Sequence, residues 1–299
     1  MTTPAQTDGP PTAGPPNIFD GARRVARLRR SAARLHQADF LHDRAALGAV
    51  DSLEAIMRDF AVAVDLSAHP GPFAGRLSDS QAASRIGSLV AAGHDAADPG
   101  ARPLGLAAGS SDLIVSLMTL HWANDLPGAL SQIRRALRPD GLFIGTLLGA
   151  ATLKELRAVL TEAELAERGG AQARVSPFAD GYDGAALLQR AGFALPVSDV
   201  DRVTVRYPDL FALVRDLRAM GETNQLAGIV RPLTRGIIMR AAALYAERFG
   251  DADGRIPATF EIVNLAGWAP HESQQKPLAR GSAKTRLADA LNVRELKGG

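Results

Sequence analysis

The chain has 299 residues, of which 46% are hydrophobic and 22% charged, enough for a large core in one big domain or in one domain with an insertion. It contains no cysteine, which excludes disulfides, thiolate metal sites and an iron–sulfur cluster held by the chain's own Cys. The 34 basic and 32 acidic residues leave a net charge of +2, which argues against a general nucleic-acid binder. No apolar run approaches the ~18 residues that a membrane span needs.

Residues 1–16 hold five prolines and no large apolar residue apart from the start Met. Such a segment has nothing to bury, so we expect a disordered tail. Because it lacks an apolar stretch, we do not expect it to be a secretory signal.

Residues 17–60 predict an N-terminal helical cap. Its first helix, over 20–36, is capped by Asp20 and carries six arginines with no acid after the cap. It fits an anionic partner, peripheral contact with a membrane surface, a cover over a nucleotide-like ligand, or simply a solvated helix. In every case the helix would pack through a narrow apolar stripe formed by Val25, Leu28, Ala32 and Leu35.

Short apolar runs indicate a sheet that lies within a main domain over 61–270. Three of them, Ala61–Leu66, Leu113–Leu117 and Leu142–Leu148, are typical of buried parallel strands and should be neighbours. The first two runs leave room for at most one short strand between them, near Ile86–Val90. Because helical segments separate the strands, we predict an α/β, Rossmann-like, doubly wound fold with a reduced sheet.

The C-terminal half of the chain predicts an antiparallel edge interrupted by helices. Arg202–Tyr207 alternates strictly and should pair with Thr259–Trp268. The helical insertion 208–257 between them is expected to cover the site as a lid. Residues 271–299 are expected to form a polar C-terminal tail with a short helix near 285–291.

Two local signals suggest where helices begin. Asp125 is a good N-cap, and Pro127 is tolerated in the first turn after it. Thr152 and Glu155 have the spacing of a capping box, which predicts a helix running to about Arg168.

His121 and Trp122 follow the second apolar run and are the candidate catalytic pair. In parallel sheets, ligands bind beyond the carboxyl ends of the strands. His121 could act as an acid, base or donor and Trp122 as a stacking surface, although a satisfied His and a core Trp are equally open.

Several long motifs resemble one protein family. The chain from Asp112 onward is similar to the complex I assembly factors of the class I S-adenosylmethionine methyltransferase superfamily, and more distantly to the malonyl-carrier-protein methyltransferase of biotin synthesis. The resemblance covers about two-thirds of the chain and is carried by Asn17–Asp20, Leu120–Pro127, Leu137–Gly145, Thr152–Arg157, Ser176–Phe178, Leu217–Asn224 and Gly267–Pro277.

The resemblance implies a methyltransferase-type fold and S-adenosylmethionine as cofactor. It also implies a protein substrate, because the mitochondrial representative is regarded as a protein-arginine hydroxylase that acts on an iron–sulfur subunit of NADH:ubiquinone oxidoreductase. A cytoplasmic location, peripheral to the inner membrane, would suit such a partner.

The cofactor loop departs from the superfamily pattern of an acid followed by alternating glycines. Asp65 matches the acid and Gly71 the last glycine, but Ser67 and His69 occupy the other two glycine positions. Side chains there would crowd a ligand that the backbone should approach closely. We therefore expect weak binding of S-adenosylmethionine or a rearranged loop.

Candidate substrate-binding residues lie in two other motifs. Glu222 and Asn224 follow a predicted insertion helix, where a carboxylate could pair with a substrate guanidinium or merely cap the helix. The final strand and the segment after it supply further candidates, which could line a groove or close a polar turn: Trp268, His271 and Gln274. The six histidines show no convincing metal-ligand spacing, so no metal site is predicted.

Three functions remain open at this stage. The first is an enzyme that modifies an arginine of a respiratory-complex subunit, and we favour an enzyme over a non-enzyme. The second is a methyltransferase acting on a small or carrier-bound substrate. The third is a non-catalytic assembly chaperone with a degenerate cofactor loop, which the altered glycines favour over the second.

Overall fold

The computed structural model describes residues 17–92, 104–178 and 183–275. The predicted disordered tail 1–16 and the short helix near 285–291 lie outside the described residues. No helix in the described part is long and apolar enough to cross a membrane.

A six-stranded mixed sheet forms the centre of the fold, with strand order β2-β1-β3-β4-β6-β5. The first four strands pair in parallel, while β6 runs antiparallel between β4 and β5. The strands are β1 (Phe60–Asp65), β2 (Ile86–Ala91), β3 (Ser111–Ser116), β4 (Leu137–Leu148), β5 (Ala194–Tyr207) and β6 (Ile256–Trp268). The predicted parallel neighbours, the short strand near Ile86–Val90 and the antiparallel edge are all confirmed.

Helices cover both faces of this sheet because successive side chains of each strand point to opposite sides. Leu113 and Val115 of β3 face one core with Phe73 and Val159, whereas Ile114 faces the other core with Ile133. The helices are α1 (Gly21–Ser31), α2 (Phe40–Glu54), α3 (Gly71–Ser78), α4 (Leu126–Ala136), α5 (Lys154–Arg168), α6 (Gly184–Arg190), α7 (Leu210–Met220) and α8 (Arg235–Phe249). The predicted doubly wound α/β class is therefore confirmed, with α7 and α8 forming the helical insertion before the last strand.

The capping predictions had different outcomes. Asp20 and Asp125 do cap α1 and α4, accepting from the amides of Arg23 and Gly128. The prediction of a capping box at Thr152 and Glu155 is wrong, because α5 begins after Leu153 without a side-chain cap. Both side chains bond instead to β6, Thr152 to the backbone of Glu261 and Glu155 to the amide and hydroxyl of Thr259.

The buried stripe of α1 also differs from the predicted one. Arg24, Leu28 and Ser31 are buried, whereas Ala32 is exposed and Val25 is only partly buried. The buried face of α1 is shifted by about one residue from the predicted stripe, because Arg24 faces inward to a buried partner elsewhere in the chain. After Ser31 the helix tightens into a 3₁₀ turn over Ala32–Gln37.

Candidate functional site

The site lies beyond the carboxyl ends of β1 and β3. Strand β3 stops at Ser116, earlier than the expected end near Leu120, because the Leu117 amide donates to the Ser67 hydroxyl at 2.8 Å. A single 3₁₀ turn, Leu120–Trp122, then directs His121 and Trp122 into the interior. Both side chains are buried.

Glu222 is the centre of a buried polar cluster that includes both predicted catalytic residues. One carboxylate oxygen, Oε1, accepts from Nη1 and Nη2 of Arg24, each at 3.1 Å. The other, Oε2, accepts from the Trp122 indole at 2.9 Å and lies 3.0 Å from Nε2 of His121. The Arg24 guanidinium also lies over the Trp122 ring, 5.1 Å from its centroid. We call these four residues the Glu222 cluster.

The electrostatics of the Glu222 cluster keep the carboxylate ionised. Burial alone would raise the pKa of Glu222, but the charge of Arg24 and the contacts with His121 outweigh burial and lower that pKa well below its ordinary value. Burial lowers the pKa of His121, against the opposing effect of Glu222. A neutral His121 then donates from Nε2, and its Nδ1 has no hydrogen-bond partner in the described part of the chain.

Three distant segments meet at this cluster, and each carries part of the family resemblance. The Asp20 amide donates to the Gln225 carbonyl at 2.8 Å. The Phe19 backbone exchanges two hydrogen bonds with the Asn124 side chain, at 2.8 and 3.0 Å. The start of α1 is thus held between the loop after β3 and the loop after α7, which places Arg24 beside Glu222.

Asn224 has a structural environment distinct from that of Glu222. Its side-chain amide donates to the carbonyls of Ala173 and Arg174, and its Oδ1 accepts from the Leu226 amide. Both polar atoms of the Asn224 side chain are therefore engaged within the protein, and its role toward substrate stays a prediction. Glu222 is also fully engaged, which leaves neither of its oxygens open for a substrate guanidinium.

A cavity of about 790 Å³ opens beside the cluster and includes Trp122 and Glu222 in its wall. Its volume lies within the range of small-molecule and cofactor sites, roughly 300–1,000 Å³. Helices α1, α5, α7 and α8 supply its apolar and basic walls, and Phe178 packs edge-on against both His121 and Trp122, with centroids 5.4 and 5.8 Å away. Seven arginines line it: Arg23, Arg27, Arg30, Arg34, Arg174, Arg218 and Arg231.

The predicted cofactor loop is folded tightly onto the sheet. The Ser67 amide donates to Asp65 Oδ1 and the Ala68 amide to the Thr119 hydroxyl, both at 2.8 Å. Asp65, Ser67 and His69 are buried, and Gly71 begins α3. Burial raises the pKa of Asp65 to about 6 despite the hydrogen bonds from Ser67, and its Oδ2 has no partner in the described residues.

His69 fills the second altered glycine position with a buried imidazole. It packs edge-on against His42 of α2, with ring centroids 5.3 Å apart. Burial, and then the neighbouring His69, lower the pKa of His42 to about 3, so His42 is neutral. The 790 Å³ cavity is lined by no residue of 65–71.

The remaining predicted site residues lie near the amino ends of the parallel strands, at the end of the sheet opposite the site. Because β6 is antiparallel to β4, Trp268 pairs with Leu142, which lies beside Leu113 near the amino end of β3. Gln274 donates to Asp140 and to the Ala269 carbonyl, and His271 contacts Ser273. The fold therefore does not bring Trp268, His271 and Gln274 together with His121 and Glu222.

Sequence reasoning did not single out Arg24, His42 or Phe178 as site residues, although Phe178 lies in one of the resembling segments. Arg24 was one of six similar arginines, and only its spacing with Leu28 and Ser31 could have shown that it faces inward. His42 lies in an ordinary helical pattern that carries no such signal. Within the described ranges, no group of three or more histidines and carboxylates could hold a metal ion.

Comparison with known protein families shows that residues 45–145 match the model of a methyltransferase domain. Among curated proteins, the zebrafish (Danio rerio) "Arginine-hydroxylase NDUFAF5, mitochondrial" is 45% identical over 186 residues, 62% of this chain and 58% of that protein. The mouse (Mus musculus) protein of the same name is 36% identical over 270 residues, 86% of this chain and 78% of that protein. The malonyl-[acyl-carrier protein] O-methyltransferase of Methylovorus is 40% identical over 168 residues, 56% of this chain and 54% of that protein.

The sheet and the matched domain define the chain as a protein of the methyltransferase fold class. It belongs to the family of the arginine hydroxylase NDUFAF5, as the long match to the mouse protein shows. The match to the zebrafish protein spans just over half of that relative's length. Among solved structures, the YcgJ protein of Bacillus subtilis is similar with a TM-score of 0.44 and 12% identity, covering 76% of this chain and 98% of that one.

The methyltransferase domain implies S-adenosylmethionine as cofactor, but the loop after β1 does not fit a ligand cradled by glycines. Side chains occupy two of the glycine positions, and they are buried rather than turned to the surface. The amides of Ser67 and Ala68 are already bonded within the protein. A ligand at this loop would have to displace those contacts.

Proposed function

We propose that this protein modifies an arginine side chain of a protein subunit of respiratory complex I, with hydroxylation as the reaction. A C–H bond of the arginine becomes C–OH, and dioxygen with an external two-electron reductant supplies the oxygen atom, while the second oxygen atom leaves as water. The name of its relatives, arginine hydroxylase, motivates the reaction type. The observation that carries the proposal is the convergence of three resembling segments on the Glu222 cluster, beside the 790 Å³ cavity.

In this proposal the residues of the cluster have different roles. Trp122 and Phe178 present the aromatic wall against which substrate packs. Glu222 fixes the orientation of Trp122 and His121 and holds Arg24 in place. His121 is the candidate proton acceptor, through the Nδ1 that has no hydrogen-bond partner in the described chain. Helices α7 and α8 would act as the lid.

The partner and location follow from the same family. The relatives are mitochondrial proteins by name, and assembly of a respiratory complex would bring this protein to the inner membrane. The Arg-rich α1 is the surface proposed for peripheral contact there. We further propose that S-adenosylmethionine binds weakly or through a rearranged loop, since Ser67 and His69 replace glycines.

Methyl transfer to a small or carrier-bound substrate is the second candidate. The similarity to malonyl-[acyl-carrier protein] O-methyltransferase favours it, whereas the filled loop after β1 argues against it. The same filled loop would suit a non-catalytic assembly chaperone, the third candidate.

The test is made in cells that lack the gene for this chain and carry it, or a variant, on a plasmid. Complex I subunits are digested, and arginine-containing peptides are examined by mass spectrometry for the gain of one oxygen atom. We expect that gain with the unaltered protein and its loss with His121→Gln. The Gln amide nitrogen can still donate to Glu222, while the ring nitrogen Nδ1 is lost.

The matched control is His36→Gln, the same substitution at an exposed histidine, which should keep the modification. Unaltered arginines together with a new methyl ester on carrier protein would favour the second candidate. Restored assembly without either modification, and with full rescue by His121→Gln, would favour the chaperone.

A further inference from the structure

The charge of the cavity beside the Glu222 cluster is unbalanced. Among the described residues, seven arginines line it and Glu222 is the single acidic residue in its wall. Arg23 pairs with Asp20, and Arg174 pairs with Glu164. For the other five arginines, no carboxylate lies within ion-pair distance in the described part of the chain: Arg27, Arg30, Arg34, Arg218 and Arg231.

Glu222 cannot neutralise this excess. Its two oxygens are already bonded to Arg24, His121 and Trp122, and Arg24 by itself balances its charge. The effect is visible at Arg27, where burial and then the neighbouring arginines lower the pKa of the guanidinium. A free arginine side chain approaching this cavity would therefore be repelled.

Apolar side chains and a buried hydroxyl also line the cavity. Leu153, Leu156, Val214 and Leu217 contribute hydrophobic walls. Ser176 also lines it, is 3% exposed, and has a hydroxyl with no hydrogen-bond partner in the described residues. Arg30, Arg34, Arg218 and Arg231 are exposed. The cavity thus combines apolar walls and a buried hydroxyl with a cationic rim.

We infer that this cavity binds an acidic and apolar peptide segment of the protein substrate, with its carboxylates at the rim and an apolar side chain inside. This inference rests on the proposed function, and it adds that acidic neighbours must accompany the target arginine. They would neutralise the rim and allow a guanidinium to approach.

The shape of the rim favours a peptide over a small anion. Arg23 and Arg30 are seven residues apart on α1, which corresponds to about 10 Å at ~1.5 Å per residue. An extended peptide advances ~3.3 Å per residue, so the rim spans roughly three residues and can meet two carboxylates. The chain's own residues 276–299 carry six basic and two acidic side chains and do not complement it.

The experiment measures binding of labelled synthetic peptides to the full-length protein by fluorescence anisotropy at low and high salt. One peptide alternates glutamate with leucine, and its matched partner has glutamine in place of each glutamate. We expect the acidic peptide to bind at least about tenfold more tightly, a difference of ~1.4 kcal/mol. Its affinity should fall with added salt.

Charge reversal at the rim provides the decisive variant. Arg30→Glu with Arg34→Glu should weaken binding of the acidic peptide at least about tenfold. The control is Arg29→Glu with Arg190→Glu, which makes the same charge change at exposed positions outside the cavity. Far-ultraviolet circular dichroism and the melting temperature confirm that each variant is folded.

Equal affinities for the two peptides, or equal losses in the two double variants, would overturn the inference. Tight binding of hexanoate that depends on Arg30 and Arg34, without a preference for the acidic peptide, would instead identify a small-anion site. Binding needs no turnover, so the inference can fail while arginine modification in cells persists. Conversely, peptide binding without any arginine modification would refute the proposed function alone.

Discussion

At the residue scale, the Glu222 carboxylate matters most because it joins groups from three parts of the chain. A buried ion pair is weak evidence for stability by itself, since desolvation offsets much of the attraction. Breaking one side of such a pair is costly, however, because the remaining charge stays buried without compensation. The Glu222 cluster is therefore sensitive to single substitutions.

Glu222→Gln should lower the free energy of unfolding by about 3–5 kcal/mol in urea denaturation, because Arg24 is left uncompensated. The exposed pair of Glu162 and Arg248 offers a control, and Glu162→Gln should cost ~1 kcal/mol or less. Combining Glu222→Gln with Arg24→Met should recover part of the loss. If the double variant were less stable than Glu222→Gln, the ion-pair explanation would be wrong.

The sign of the pH dependence follows from the depressed pKa of Glu222. Its stabilising contribution is fully present above the ordinary value of 4.5 and is lost as the pH falls toward the lower folded pKa. His42 acts in the same direction, because its pKa of about 3 lies below the ordinary 6.5 and the unfolded chain takes up the proton first.

Asp65 should have the opposite effect, because its folded pKa of about 6 lies above the ordinary 3.8. Its contribution is present below pH 3.8 and is lost as the pH rises through 6. At ~1.4 kcal/mol per pKa unit the loss is about 3 kcal/mol. Asp65→Asn should abolish this term, so the difference in unfolding free energy between the variant and the unaltered protein should change between pH 4 and pH 7. Asp79→Asn at an exposed position is the control; a constant difference for Asp65→Asn would contradict the prediction.

At the scale of elements, the loop after β1 and the insertion helices decide which ligands can enter. The loop is anchored to the end of β3 by Ser67 and Ala68. Helices α7 and α8 supply Val214, Leu217 and Ile238 to the cavity wall. The lid role of the insertion 208–257 stays a prediction.

Restoring the two glycines should change the affinity for S-adenosylmethionine. Ser67→Gly with His69→Gly removes a buried imidazole and frees the backbone for close approach. Calorimetry should show binding at least about tenfold tighter than in the unaltered protein, because one clash or lost hydrogen bond costs roughly 1–3 kcal/mol. Micromolar binding by the unaltered protein would refute the loop argument and favour plain methyl transfer.

At the scale of the whole molecule, the N-terminal segment has two parts with different expected importance. Residues 1–16 contain no large apolar side chain apart from Met1, whereas Leu28 of α1 is fully buried and packs with Ala68 of the cofactor loop. The helix α1 thus connects the N-terminus to both the Glu222 cluster and the loop after β1.

Deleting residues 2–16 should leave the melting temperature unchanged within error, as measured by circular dichroism. Leu28→Ala, in contrast, should lower the free energy of unfolding by about 2–5 kcal/mol through the cavity it leaves. Exposed Ala26→Gly on the same helix controls for helix propensity and should cost ~1 kcal/mol. A large loss of stability on deletion would show that the tail contributes to packing.

The sequence by itself determined the strands, most helices and the fold class, because these depend on local apolar patterns. Runs such as Leu113–Leu117 bury both faces, and Asp20 and Asp125 cap helices within three residues of themselves. The sequence also identified His121, Trp122 and Glu222 as candidates. Only the tertiary structure decided that they meet, since His121 and Glu222 are 101 residues apart along the chain. It likewise separated Trp268, His271 and Gln274 from them. Because β6 is antiparallel, those residues lie at the amino ends of the parallel strands, opposite the site.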